Sequence, residues 1–166
     1  MKYLVVIAFV IVYFLFGLDM GYTAHSAWWT HFSYSFQHGS LMHLFINSVG
    51  FIAIYGLLER FIHPVKFLTA AYFIAVVSSF VCTYPTTVVG ASGVIYAMIG
   101  MYLALLLFKR VHYRYKSDLL IFILSVAVFF VIGFLKQNMA GMLHFVCLIM
   151  GVVFGSVCLK FFKKCV

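Results

Sequence analysis

The chain is poor in charge. Of its 166 residues only 8% are charged, while 66% are hydrophobic and the mean hydropathy is +1.16. Soluble globular domains carry about a quarter charged residues, so this composition excludes that class and predicts an integral, all-α membrane protein with one domain, 1–166. Apolar runs between polar or basic breaks predict six spans. These spans lie near 3–18, 41–58, 67–84, 91–108, 119–135 and 141–159.

Acidic residues are the scarcest charged class, with only Asp19, Glu59 and Asp118 present. All three are predicted at the membrane surfaces, which excludes an aspartyl protease that works inside the bilayer. No H-E-x-x-H occurs, which removes a zinc metalloprotease. The four cysteines show neither metal-ligand nor disulfide spacing. We therefore expect no metal and no cofactor.

The basic residues are distributed unevenly. All of the eleven Lys and Arg residues except Lys136 fall on one side of the six-span threading. This positive-inside pattern predicts that both termini are cytoplasmic, in a multi-pass protein of the cell membrane that we expect in a bacterial inner membrane. A basic fringe beside anionic lipid accounts for the net charge of +8, so we expect the lipid bilayer and no nucleic acid as partner. The first apolar run is predicted to be a retained span, because it is long for a signal peptide and lacks a small-x-small cleavage pattern.

The outer loop 19–40 is the longest segment outside the predicted spans. It is rich in aromatic residues, which suit the headgroup layer of a membrane. We therefore predict that they form an interfacial belt. They are Trp28, Trp29, Phe32, Tyr34 and Phe36.

Three polar side chains share a predicted depth in the membrane. Ser92, His144 and His43 each lie 16 or 17 residues before a basic residue that marks the cytoplasmic surface. At about 1.5 Å per residue, each lies roughly 24–26 Å from that surface, in a hydrocarbon core about 30 Å thick. Polar side chains at this depth are energetically costly to keep in the membrane. We therefore take a functional role as the default interpretation of these three residues.

Ser92 and His144 suit hydrolysis. Ser92 lies in Gly90-Ala91-Ser92-Gly93 at the start of the fourth span, where helix N–H groups can bind a developing negative charge. A serine attacks a carbonyl only if a base takes its proton, and the neutral His144 imidazole can do so. Serine and glycine are also packing residues between membrane helices, and a histidine can be a satisfied core residue. The equal depth of the pair favours a catalytic dyad.

The second span adds further polar residues. His43 and Asn47 are four residues apart, hence on one helical face, and both can donate hydrogen bonds to an oxyanion together with the Ser92 amide. His38 lies about 140° from His43 on a helix, so we expect it to face elsewhere and to hold loop backbone. Metal binding by these two histidines is the weaker alternative.

Small residues predict that the fourth and sixth spans are neighbours. Ser92 and Tyr96 are i,i+4 on the fourth span, and Gly93 and Gly100 are i,i+7, which places the serine beside a close-packing groove. The sixth span carries a matching row of His144, Cys147, Gly151 and Gly155.

These patterns resemble the rhomboid family of intramembrane serine proteases. The second span reads His38-x4-His43-x3-Asn47, and the fourth reads G-x-S-G-x-x-Y-A-x-x-G over 90–100. The sixth has histidine followed by a glycine row, and the six-span core covers nearly the whole chain. The resemblance implies that Ser92 is the nucleophile, His144 the base, and His43, Asn47 and the Ser92 amide the oxyanion hole. Tyr96 is then expected to pack on the His144 ring, and Glu59-Arg60 to end the second span.

The chain departs from the family at a few positions. Thr30 stands where many members have arginine in the first outer loop, and Leu143 where alanine is usual. Cys147 replaces a usual glycine, and we expect its larger side chain to push the fourth and sixth helices apart.

The resemblance implies a serine endopeptidase that cleaves transmembrane proteins near the outer face. Its substrates are expected to have small residues at the scissile site and to enter past the second and fifth spans. Two alternatives stay open: an inactive rhomboid-like protein that binds membrane clients, and a small transporter whose histidines relay protons. The sequence leaves the oligomeric state open.

Overall fold

A computed structural model describes residues 1–16, 18–108, 120, 122–124, 126–127 and 140–161. The predicted fifth span, 119–135, lies largely outside the described residues. Within them the chain is helical, and an antiparallel bridge between Tyr22 and Val88 is its only strand-like pairing. The all-α prediction is therefore confirmed for this part of the chain. The helices are α1 (Lys2–Leu15), α2 (Thr30–Ser33), α3 (Leu41–Leu58), α4 (Pro64–Val81), α5 (Ser92–Leu107) and α6 (Gly141–Phe161).

Three of these helices are long and apolar enough to cross a membrane. They are α3, α4 and α6, and α1 and α5 are shorter apolar helices. Local sequence explains the helix starts. Ser40 caps α3, because its hydroxyl accepts a hydrogen bond from the His43 N–H at 3.1 Å. Pro64 occupies the first turn of α4, where its missing N–H costs nothing.

Helix α5 is the centre of the described bundle. It packs against α3, α4 and α6, and nearly all of its side chains from Ser92 to Leu105 are buried. Helix α1 packs on the outside of α3. At the C-terminal end of α3, the Lys2 ammonium forms an ion pair with the Glu59 carboxylate at 2.7 Å. This ion pair joins the first turn of α1 to α3.

Glycines bring α5 and α6 into backbone contact. A Cβ atom added at Gly100 would overlap the Leu148 carbonyl oxygen, and one at Gly151 would overlap the Ala97 carbonyl oxygen. Cys147 does not push the helices apart, so that expectation is wrong. Its side chain is fully buried, and its sulfur lies where α5 has Gly93, 3.5 Å from the position a Cβ would take there. The missing side chain on α5 makes room for the thiol on α6.

The outer loop divides its aromatic residues between the surface and the core. Trp28, Trp29 and Phe32 are exposed, as the belt prediction requires. Tyr34 is fully buried, and its hydroxyl donates to the Ala75 carbonyl oxygen at 3.0 Å. For Tyr34 the belt prediction is therefore wrong, because the ring fills space beside Gly93. Phe36 is partly buried, with its ring 6.0 Å from that of Phe9.

Candidate active site

The segment 82–91 carries the chain from α4 to Ser92, and outer-loop backbone holds it in place. Tyr22 and Val88 exchange two N–H to O=C hydrogen bonds, of 3.1 and 2.9 Å. The Gly90 N–H donates to the Tyr34 carbonyl oxygen at 2.9 Å. Ser92 is the first residue of α5. The serine thus lies at a helix N-terminus whose approach is fixed by hydrogen bonds on both sides of Val89.

Gly90 is the tightest point of this segment. Its φ angle is +118°, a conformation that residues with a side chain rarely adopt. A Cβ at this position would also lie 2.7 Å from Cε1 and 2.8 Å from Nε2 of His43. Glycine is required here both by its dihedral angle and by the imidazole against it. Hence the His43 ring on α3 lies against the backbone two residues before Ser92.

Ser92 and His144 are brought together. The serine Oγ and the His144 Nε2 lie 2.8 Å apart, within hydrogen-bond distance. Both side chains are 6% exposed. The Tyr96 ring, one turn along α5, is stacked on the imidazole with the centroids 4.5 Å apart and the planes 15° apart. A hydroxyl in contact with an imidazole whose plane is fixed by an aromatic ring is an arrangement suited to proton transfer.

Asn47 and His43 lie one turn apart on α3. The Asn47 amide group donates to the His43 carbonyl oxygen at 2.8 Å, and its side chain is 1% exposed. His43 is partly buried. The contact of His43 with Gly90 places this face of α3 beside the start of α5. The His43 ring therefore lies beside the backbone that leads to Ser92, and Asn47 follows it one turn later on α3.

His38 lies closer to His43 than the sequence predicts. Their ring centroids are 5.3 Å apart, because residue 38 precedes α3 and the helical angle does not apply to it. Its Nε2 accepts a hydrogen bond from the Ala91 N–H at 3.5 Å, so it does contact loop backbone. Burial, and to a smaller extent the nearby His43, lowers the pKa of the His38 imidazole to about 3. The ring is therefore neutral at physiological pH.

The described part of the chain contains no cluster of three His, Cys, Asp or Glu side chains placed to hold a metal ion.

Sequence reasoning missed two tyrosines of this region, Tyr34 and Tyr84. The Tyr34 hydroxyl lies beside Gly93, and the Tyr84 hydroxyl accepts from the Leu143 N–H at 3.0 Å. Both contacts join residues more than fifty positions apart, and no local pattern indicates them.

Comparison with known proteins identifies the family. A family model described as Rhomboid domain matches residues 25–161, most of the chain. The chain belongs to the rhomboid family. The fold prediction, an all-α rhomboid membrane bundle, is thereby confirmed. The chain is also similar to "Putative rhomboid protease YdcA" of Bacillus subtilis (strain 168), with 27% identity over 150 residues, which cover 87% of this chain and 73% of that protein. As a rhomboid, the chain is a multi-pass membrane protein.

Proposed function

We propose that this rhomboid is an active intramembrane serine endopeptidase that uses a dyad of Ser92 and His144. The observation that carries the proposal is the 2.8 Å contact between the serine Oγ and the His144 Nε2. An inactive family member would have no need to keep a nucleophile and a base buried in contact at a helix N-terminus. Polar groups at this depth are costly to maintain, which favours a catalytic role.

The chemistry follows from this contact. The neutral His144 Nε2 takes the proton of the Ser92 hydroxyl while Oγ attacks the scissile carbonyl carbon. The C–N bond then breaks, and the protonated His144 gives its proton to the leaving amine, which leaves an ester on Ser92. A water molecule, activated by the same imidazole, hydrolyses this ester and releases a carboxylate. Tyr96, stacked on the ring, limits its rotation between these steps.

The oxyanion of the tetrahedral intermediate carries a negative charge, and hydrogen-bond donors near Ser92 are needed to stabilise it. The Ser92 N–H belongs to the first turn of α5, where backbone N–H groups have no partner within the helix. In this proposal the His43 imidazole and the second hydrogen of the Asn47 amide complete the oxyanion hole. Gly93, which follows the nucleophile, lets Tyr34 and Cys147 approach α5 closely. His38 supports the site through its contacts with Ala91 and His43.

The substrate class follows from the location of the dyad. Rhomboid proteases act on membrane proteins, and Ser92 begins an apolar helix. We propose that the substrates are transmembrane segments cleaved near the outer face, with both termini of the enzyme in the cytoplasm of a bacterial cell.

The test uses purified protein in proteoliposomes with a fluorogenic transmembrane substrate. We expect Ser92→Ala to abolish cleavage and His144→Ala to lower kcat by at least about a hundredfold. Two matched controls are expected to stay active: Ser78→Ala, a buried serine of α4, and His63→Ala, an exposed histidine before α4. Cleavage by Ser92→Ala at the wild-type rate would overturn the proposal. Labelling of Ser92 by a fluorophosphonate separates a protease from a client-binding protein or a transporter.

A further inference from the structure

The N-terminal end of α6 is held by a side chain from a distant segment. The first N–H groups of a helix have no partner within it, and an unpaired N–H is expensive in an apolar environment. Ala140, immediately before α6, has no side-chain acceptor. The Tyr84 hydroxyl oxygen supplies one instead, by accepting from the Leu143 N–H at 3.0 Å. Leu143 is directly followed by His144.

Tyr84 itself belongs to the segment that positions Ser92. Its carbonyl oxygen accepts from the Ala24 N–H at 2.8 Å, and Val88, four residues later, is paired with Tyr22. The Tyr22 hydroxyl donates to the carbonyl oxygen of Cys82 at 3.0 Å, just before Tyr84. The backbone on both sides of Tyr84 is therefore anchored to the outer loop. From this anchored position the chain continues directly to Ser92.

We infer that Tyr84 is a positioning residue that sets His144 against Ser92, an inference that rests on the proposed function. The phenol joins the segment that carries the nucleophile to the helix that carries the base. Deeper in the membrane, α6 is fixed against α5 by the contact of Gly151 with Ala97. His144 lies between these two fixed points, one residue from Leu143 and about two turns from Gly151. Removal of the outer point lets the start of α6 move relative to Ser92.

Two variants distinguish positioning from simple helix capping. Tyr84→Phe removes the hydroxyl, keeps the ring and leaves the backbone hydrogen bond to Ala24 unchanged. Ala140→Ser then introduces a local cap, because a serine before a helix accepts from the N–H two or three residues into it, and Leu143 is the third. The double variant satisfies the Leu143 N–H without any link to the Ser92 segment.

The experiment measures kcat and KM with a transmembrane substrate and hydrogen exchange of the Leu143 amide by NMR in detergent. For Tyr84→Phe we expect faster exchange, a kcat about tenfold lower and an unchanged KM, since small misplacements in a catalytic pair are costly. In the double variant, exchange returns to the wild-type rate but kcat stays low. The control is Tyr72→Phe, which removes a hydroxyl that donates to the Phe32 carbonyl oxygen at 2.6 Å, and it keeps the wild-type kcat.

The inference is overturned if Tyr84→Phe keeps the wild-type kcat or if Ala140→Ser restores it. The imidazole 15N NMR signals of His144 distinguish failure of the positioning role of Tyr84 from failure of the proposed protease function. We expect them to shift in Tyr84→Phe and not in Tyr72→Phe, whether or not the wild type cleaves substrate. A wild type that is inactive, with shifted His144 signals in Tyr84→Phe, refutes the protease and retains the positioning. Unchanged signals in Tyr84→Phe refute the positioning.

Discussion

Replacement of Gly90 by alanine tests whether the segment before Ser92 is fixed as tightly as the structure indicates. An alanine held in a sparsely populated region of positive φ costs about 1–3 kcal/mol. The φ of Gly90 is +118°, and the new Cβ would also lie 2.7 Å from the His43 ring, which forces that ring to move. Overpacking of this kind costs about 1–3 kcal/mol. We therefore expect Gly90→Ala to destabilise the protein by about 2–6 kcal/mol.

The effect on activity is expected to exceed the effect of the lost stability. The His43 ring is a proposed oxyanion donor, and loss of one such donor lowers kcat by about 10²–10³-fold. The assay measures kcat well below the midpoint of thermal unfolding, with the midpoint determined separately in detergent. The matched control is Gly141→Ala, because a Cβ at Gly141 meets no atom within 4 Å. It is expected to leave both quantities close to those of the wild type.

A double-mutant cycle separates the two causes. In a His43→Ala background the imidazole is absent, so Gly90→Ala retains only the dihedral cost of about 1–3 kcal/mol. The stability loss is then smaller than in the wild-type background. The reasoning is refuted if Gly90→Ala keeps kcat within twofold of the wild type, or if its stability cost is the same with and without the His43 ring.

Three further substitutions test the contacts of α5 and α6. Gly151→Ala places a Cβ against the rigid backbone of Ala97 and is expected to cost about 1–3 kcal/mol, read as a lower unfolding midpoint, whereas Gly56→Ala, with its nearest neighbour at 4.0 Å, is tolerated. Tyr96→Leu removes the ring stacked on His144 and is expected to lower kcat up to about tenfold, while Tyr96→Phe keeps the ring and most of the activity; equal kcat for the two would contradict the role of stacking. Cys147→Gly removes a fully buried side chain and adds a helical glycine, so thermal unfolding should show a loss of at least about 1 kcal/mol; a gain in stability would mean that the thiol strains the interface after all.

The sequence predicts those features that depend on distances along a single helix. The common depth of Ser92 and His144 follows from rise per residue and membrane thickness, and the structure brings the two side chains into contact. The neighbouring α5 and α6 follow from the spacing of their glycines. The predicted direction of His38 is wrong because the angle between His38 and His43 depends on where α3 begins. The capping residue Ser40 sets that start, so His38 lies before the helix.

Other features depend on partners that no local pattern reveals. Tyr34 and Tyr84 have the same aromatic character as belt residues, and only the folded chain shows that their hydroxyls bond to α4 and α6. The effect of the Cys147 side chain on helix packing could be predicted only with knowledge of the residue that faces it on α5. A larger side chain on one helix is harmless where the facing helix has a glycine, and Gly93 lies opposite this thiol.

The short length of the central helix α5 has a consequence for the conformation of a transmembrane substrate. Helix α5 has 16 residues, against 18, 18 and 21 in α3, α4 and α6. It therefore measures about 24 Å, less than the roughly 30 Å of hydrocarbon that surrounds the protein. If the far end of α5 is level with one membrane surface, Ser92 is expected about 6 Å below the opposite boundary of the hydrocarbon. Under the proposed protease function, a substrate helix has to unwind locally before its peptide bond can reach Ser92. Helices that unwind easily are then expected to be preferred substrates.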